Sequence, residues 1–293
     1  MKVGVVILPD QRWSEAKHLW REAEDLGFAH AWTYDHLTWR DLRDGPWFGA
    51  VPTLAAAALA TSSIRIGTLV ASPNFRHPVT FAKELMSLDD ISSGRITLGI
   101  GAGGSGWDAN ALGQEPWSAK ERAARFAEFV EQLDRLLTEP AIDSLSGEFY
   151  CAKDARAIPG CVQQPRLPFA IAATGTKGIS LAVKFGQSWV THGDPKAAAK
   201  RDEVAAHACA KLQMAKVREE CQTQGRDFNS LSKTYLTDSI REPWLASVSD
   251  FHRLSGKYEE LGFTDIVLHY PRLSEPYKAD IDVYYEIAKL NQR

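Results

Sequence analysis

Residues 64–104, IRIGTLVASPNFRHPVTFAKELMSLDDISSGRITLGIGAGG, decide the fold. IRIGTLVAS is a buried β run, residues 78–91 carry apolar side chains at helical spacing, and RITLGIG is a second buried run. The segment reads strand, helix, strand, the alternation that parallel neighbours joined by a crossover require.

The same unit repeats on both sides of it. Upstream, VGVVIL within 1–8 precedes a helix over 13–26 that Gly27 stops, and AWTY at 31–34 precedes an Ala-rich helix over 52–61. Downstream, RITLGIG leads to a helix over 119–138. Its start is marked by the capping box Ser118-x-x-Glu121, and Phe126, Phe129, Leu133 and Leu136 form its apolar stripe. Residues 140–167, with Gly147, Pro159, Gly160 and Pro165, read as an irregular insertion. The alternation then resumes with PFAIAA, a helix over 177–186, SWVT, a helix over 195–224, a strand near 234–236, a helix over 247–261, TDIVLHY and a helix over 280–290. About eight strands in a chain of this length suit a closed (β/α)8 TIM barrel better than an open doubly wound sheet. The expectation is one barrel domain over 1–293 with its site where the strands end.

Composition narrows the function. The 293 residues are 44% hydrophobic, enough for a full core, and the net charge of −3 is mixed along the chain. No basic field is available to neutralise phosphates, so nucleic acid is not an expected partner. Cys151, Cys161, Cys209 and Cys221 form neither C-x-x-C pairs nor a disulfide framework, which points to reduced thiols. No apolar run approaches the roughly 20 residues that span a bilayer, and the first strand breaks at Pro9-Asp10, too early for a signal-peptide core. A cytoplasmic protein with no membrane attachment is expected. No metal-ligand spacing and no G-x-S-x-G elbow occurs, so no metal site and no serine hydrolase is expected.

Gly101-x-Gly103-x-x-Gly106 matches a dinucleotide fingerprint formally, but three βα units precede it and the next helix expected begins only after Ser118. A strand-end loop that lets backbone approach a cofactor is the favoured reading, and glycines serving a tight turn the alternative. Asp35-His36 follows AWTY and falls at the mouth of a barrel. Such a dipeptide also serves as a loop or capping pair, but there histidine can exchange a proton near neutral pH. Thr174-Gly175-Thr176-Lys177-Gly178 opens a helix whose N–H groups suit a phosphate. Arg76-His77, His269 and Arg272 fall on the same face.

Taken together, AEDLGFAHAWTYDHLTWR, the 64–104 block with its S-x-G-R-[IV]-x-L-G-x-G pattern, and AATGTKGISLAVKFGQSWVTHG resemble the luciferase-like monooxygenase superfamily over nearly the whole chain. Within it the sequence is similar to the branch using the deazaflavin coenzyme F420. The resemblance implies that Asp35 and His36 are the catalytic pair, with His36 the proton-transfer group beside the reacting ring. It implies a non-proline cis peptide at Leu69-Val70 behind that ring, and cofactor loops at Ala102 and Gly103 and at Ala173, Thr174 and Gly175. It also implies a homodimer, which a count of nine tryptophans supports. Two departures stand out. Gly104 replaces the catalytic glutamate of the sugar-phosphate dehydrogenase branch, and Arg40, next to Trp39, takes the place of an aromatic residue, so a sugar-6-phosphate substrate is not expected. The expected reaction is hydride transfer between F420 and a small organic molecule, reducing an activated C=C or C=N bond. The alternatives are an FMN-dependent monooxygenase and a non-catalytic flavin-binding subunit.

Overall fold

The computed structural model describes residues 1–104, 106–193, 202–237 and 242–290. In chain order the elements are β1 (Lys2–Val6), α1 (Trp13–Asp25), β2 (His30–Thr33), α2 (Ala50–Ala60), β3 (Arg65–Ala71), α3 (Pro78–Ile91), β4 (Ile96–Gly101), α4 (Trp107–Ala111), α5 (Ala119–Thr138), β5 (Ala141–Ser146) and β6 (Cys151–Arg156). They continue with β7 (Phe169–Ala172), α6 (Thr176–Phe185), β8 (Ser188–Thr191), α7 (Glu203–Thr223), β9 (Ser232–Leu236), α8 (Val248–Leu261), β10 (Asp265–His269) and α9 (Ile281–Leu290). Eight strands close in the order β1-β10-β9-β8-β7-β4-β3-β2, and every neighbouring pair is parallel. This is the (β/α)8 barrel that the alternation requires.

Two expectations are corrected. The 140–167 insertion is not irregular throughout, because β5 and β6 pair as an antiparallel hairpin. Its buried Ile142, Leu145 and Tyr150 join the core around α5. A five-residue helix, α4, follows Gly106 directly, where none was expected before Ser118. The helix expected over 195–224 is α7, and residues 195–201 of that expectation lie outside the described residues. The capping box at Ser118 and Glu121 forms with both of its bonds, and the stripe Phe126, Phe129, Leu133 and Leu136 is buried. None of the four cysteines is joined in a disulfide among the described residues. Among the described residues no helix is long and apolar enough to cross a membrane.

The barrel lumen is stitched by polar side chains. Trp32 Nε1 donates to His30 Nδ1 at 2.7 Å, and His30 Nε2 lies 3.1 Å from Asp265 Oδ1. An indole nitrogen can only donate, so His30 Nδ1 accepts and its Nε2–H is the donor to Asp265. Burial pushes the Asp265 carboxyl up, but the bonds from His30 and the Thr264 hydroxyl together hold it below the ordinary value. The chain of bonds runs from β2 to β10 across β1, where the facing residue is Gly4. A Cβ at Gly4 would strike the His30 ring, and one at Gly67 would meet the Trp32 ring at 2.8 Å and the Thr97 carbonyl. Glycine at these two places is what lets large polar side chains fill the lumen.

Gly4→Ala should therefore lower stability by about 1–3 kcal/mol, the usual cost of overpacking a rigid core. Gly256→Ala is the opposite case. It is exposed within α8 with no atom within 4 Å of a built Cβ, and should gain about 0.5–1 kcal/mol from helix propensity. Thermal melts of the two variants against the parent, moving in opposite directions, check both.

Candidate functional site

β2, β3, β4 and β7 are consecutive around the barrel, so the loops after them share one rim. That order brings together Tyr34, Val70, Gly101 and Ala173, and with them Asp35, His36, Leu69, Ala102, Gly103, Thr174 and Gly175. Leu69, Val70, Trp32, Tyr34 and Ala172 line the apolar mouth with Trp39, Leu42 and Trp47. Three tryptophans thus belong to the mouth, and the tryptophan count needs no subunit interface to explain it.

Asp35 and His36 are neighbours in the chain with different partners. Both Asp35 oxygens are taken by Arg76, at 3.0 Å from Nε and 2.8 Å from Nη2, and Arg76 Nη1 reaches Glu84 at 2.8 Å. Burial pushes Arg76 down, but the two carboxylates outweigh it and raise it, so the guanidinium stays charged. Asp35 is 3% exposed and acts as the anchor of the β2 and β3 loops on α3. His36 faces other partners. Its ring stacks on Trp39 with centroids 4.2 Å apart, and the Arg40 guanidinium lies 4.5 Å from the Trp39 centroid. The aromatic cover expected one residue later is thus supplied by Trp39. Trp47 Nε1 donates to the His36 carbonyl at 2.8 Å.

Sequence reasoning missed Asp108. It lies on α4, 7% exposed, with Oδ2 at 2.8 Å from His36 Nδ1 and Oδ1 accepting from the Leu37 N–H at 2.7 Å. A five-residue helix inside a glycine-rich loop leaves no periodicity to find, and Trp107-Asp108 carries no motif. His77, read with Arg76 as part of the rim, instead caps α3 by accepting from the Val79 N–H.

Strand β3 itself carries, near its end, the cis Leu69-Val70 peptide that the resemblance implies, and the β3 to β4 register shifts there between Thr68 and Ala71. A Cβ at Gly101 would stand 2.9 Å from Val70 Cγ2. Gly103 has φ +79°, and a side chain there would strike Ser72 and Asn74, while Ala102 packs on the core. Asn74 Oδ1 is buried without a hydrogen-bond partner in the described residues. After β7, the Ala173 N–H donates to Val190 at 3.0 Å and its carbonyl accepts from Trp189 Nε1 at 2.8 Å. Thr174 and Gly175 are exposed, and no side chain caps the first turn of α6. Built Cβ atoms at Gly104 and Gly175 meet nothing within 4 Å, so both loops open onto free space.

The model of the luciferase-like monooxygenase family matches residues 1–231. The F420-dependent glucose-6-phosphate dehydrogenase of Beutenbergia cavernae is 30% identical over 295 residues, covering 86% of each chain. The 5,10-methylenetetrahydromethanopterin reductase of Archaeoglobus fulgidus is 30% identical over 188 residues, covering 64% of this chain and 51% of its own length. Among solved structures, an F420-dependent secondary alcohol dehydrogenase in complex with an F420-acetone adduct superposes with a TM-score of 0.79 over 99% of both chains at 18% identity. At that identity the superposition speaks for the fold alone.

Beside the mouth, His269 at the end of β10 contacts Tyr34 through Nε2 at 2.7 Å and stacks on Tyr277 with centroids 3.8 Å apart. Burial pushes its imidazole down to about 3, so it is neutral at ordinary pH. An unfolded histidine titrates near 6.5. Below about 6.5 the unfolded chain binds a proton that the folded one refuses, so this stability is complete above that pH and is lost as the pH falls toward 3. His269→Asn should flatten the decline by about one proton, or about 1.4 kcal/mol per pH unit between pH 6 and 4. Urea melts of parent and variant across that range measure the difference in slope.

Proposed function

The chain belongs to the luciferase-like monooxygenase family, and we propose that it is an oxidoreductase moving a hydride between the deazaflavin coenzyme F420 and a small organic substrate. The observation that carries the reading is an imidazole, His36, held at the rim of the barrel under an aromatic cover, with glycine loops open to free space on the same rim. The F420-dependent relatives supply the choice of coenzyme.

The rim fits such a group. Its flat apolar wall is Leu69, Val70 and Trp32, continuous with the lumen. Gly103 brings backbone close against Ser72 and Asn74, and the orphaned Asn74 oxygen is a polar atom that a ligand could satisfy. Ala102 and Gly103 would border the group on one side. Ala173, Thr174 and Gly175 would border it on the other, with the uncapped turn of α6 positioned for a phosphate. When bound, the deazaflavin supplies a hydride carrier that reacts poorly with oxygen, and the protein supplies position and the accompanying proton.

Reducing an activated C=C or C=N bond delivers a hydride to the electrophilic carbon and a proton to its partner atom. His36 is the residue placed to give that proton, and in the reverse direction to remove it. Trp39 and Trp47 restrict the approach of water and hold the imidazole in place. Gly104 puts no carboxylate into this mouth, and a sugar phosphate is therefore not the substrate we favour. A second reading, an FMN-dependent monooxygenase, rests on the 4-hydroxyprotoasukamycin monooxygenase of Streptomyces nodosus, 30% identical over 186 residues.

Fluorescence titration of the purified protein should show F420 binding at least about tenfold tighter than FMN, a margin of about 1.4 kcal/mol. The reverse order supports the monooxygenase. With reduced F420 as donor and cyclohexenone or a cyclic imine as probe acceptor, His36→Ala should lower turnover by about 10²–10⁴ while F420 affinity stays within a few-fold. Turnover equal to the parent's would remove His36 from the reaction.

A further inference from the structure

Asp108 is a buried carboxylate that no motif announces, and both of its oxygens serve the segment around His36. Oδ2 meets His36 Nδ1 at 2.8 Å, and Oδ1 accepts the backbone N–H of Leu37, the next residue, at 2.7 Å. We infer that Asp108 is the positioning residue for His36, fixing the imidazole in the Nδ1–H tautomer and leaving Nε2 as the nitrogen that exchanges a proton. The inference rests on the role given to His36 in the proposed function.

The tautomer follows from donor and acceptor counting. A carboxylate only accepts, so the nitrogen facing Asp108 must carry hydrogen, and in a neutral ring the other nitrogen then carries the lone pair. The two oxygens also fix the ring in space. One holds the side chain and the other the main chain one residue on, so rotation about the side-chain bonds is opposed at both ends. Trp39 closes the ring's face, and side-chain exposure of 14% for His36 and 9% for Asp108 keeps water from competing for the bond. The remaining charged groups nearby are otherwise engaged. Arg40 lies over Trp39, and Asp35 and Arg76 hold each other. Asp35, the carboxylate adjacent in sequence, is thus unable to orient the histidine, and Asp108, 72 residues away, does so.

This placement makes α4 part of the reaction machinery. Its N-cap is Gly106 at φ +87°, a conformation glycine adopts at little cost, and that turn delivers Asp108 at the second position of the helix. Arg43, from the loop after β2, lies 5.3 Å from the Trp107 ring and ties the same two segments on the outer side.

The test is Asp108→Asn, an isosteric change that leaves one acceptor oxygen for two N–H donors, so either His36 Nδ1 or Leu37 loses its partner. Long-range ¹⁵N–¹H spectra of the ligand-free protein, with the His36 signal assigned by its loss in His36→Ala, should show the Nδ1–H tautomer in the parent. In Asp108→Asn the signal should shift toward the Nε2–H form. With reduced F420 and cyclohexenone, turnover should fall about 10²-fold, within the contribution of a single proton-transfer group, while F420 affinity stays within a few-fold. Asp108→Glu, which keeps the acceptor pair, should recover at least part of both signals. An Nε2–H tautomer in the parent overturns the inference, as does an unchanged spectrum in Asp108→Asn. A loss of cofactor affinity in step with turnover, at constant tautomer, also overturns it and leaves Asp108 a packing residue. Should Asp108→Asn fail to fold, the parent spectrum alone decides. If His36→Ala retains full turnover, the proposed reaction fails, while the tautomer measurement still judges Asp108 independently.

Discussion

The bonds from Trp32 to His30 to Asp265 set the geometry on which the rest depends. A parallel barrel has no edge to fix its register, and sliding one strand by a residue would turn its inward side chains outward. Here β2 and β10 are locked across β1 by three polar side chains, each of which must meet its partner in the low-dielectric lumen. A misregistered barrel would leave a buried imidazole, indole and carboxylate unpaired, at a cost of about 1–3 kcal/mol or more for each group. The stitch lies toward the start of the strands. Every residue counted upward from it, including Tyr34 and His269, arrives at a fixed height at the opposite end.

At that end the chain separates two adjacent ionisable residues. Successive side chains of an extended segment leave in opposite directions, so a strand leaving the barrel as Tyr34-Asp35-His36 can present one to the surrounding helices and the next to the mouth. Asp35 is neutralised by Arg76 on the α3 side, and His36 is met by Asp108 on the α4 side. Two acid–base units therefore stand side by side without sharing a proton. The first is an ion pair whose guanidinium stays charged. The second is a histidine held by a buried carboxylate.

The alternation of strand and helix was legible because a buried parallel strand is apolar on both faces and each crossover helix carries a stripe at its own period. SWVT matches β8 residue for residue, and the Ser118 box marks the start of α5. The hairpin of β5 and β6 was hidden for the converse reason. Its strands are mostly exposed, AIDSLS and CAKDAR, and Pro159, Gly160 and Pro165 follow closely enough to suggest loop throughout. The rim positions after β2, β3, β4 and β7 could be placed because strand ends follow from strand order. The partners of His36 and Asp35 could not, since Asp108 and Arg76 are 72 and 41 residues distant and are joined to them only by closure of the barrel.

The glycines after β4 show how far packing dictates the mouth and where it stops. Gly101 yields to Val70, Gly103 combines φ +79° with Ser72 and Asn74 pressed against it, and Gly106 turns the chain at φ +87° into α4. Each is required by the scaffold, and together they produce a dinucleotide-like spacing without a dinucleotide fold. Gly104 differs. No atom lies within 4 Å of a Cβ built there, and its φ lies outside the left-handed region. A Cβ could be added there without meeting the barrel. The lack of one is therefore not imposed by packing.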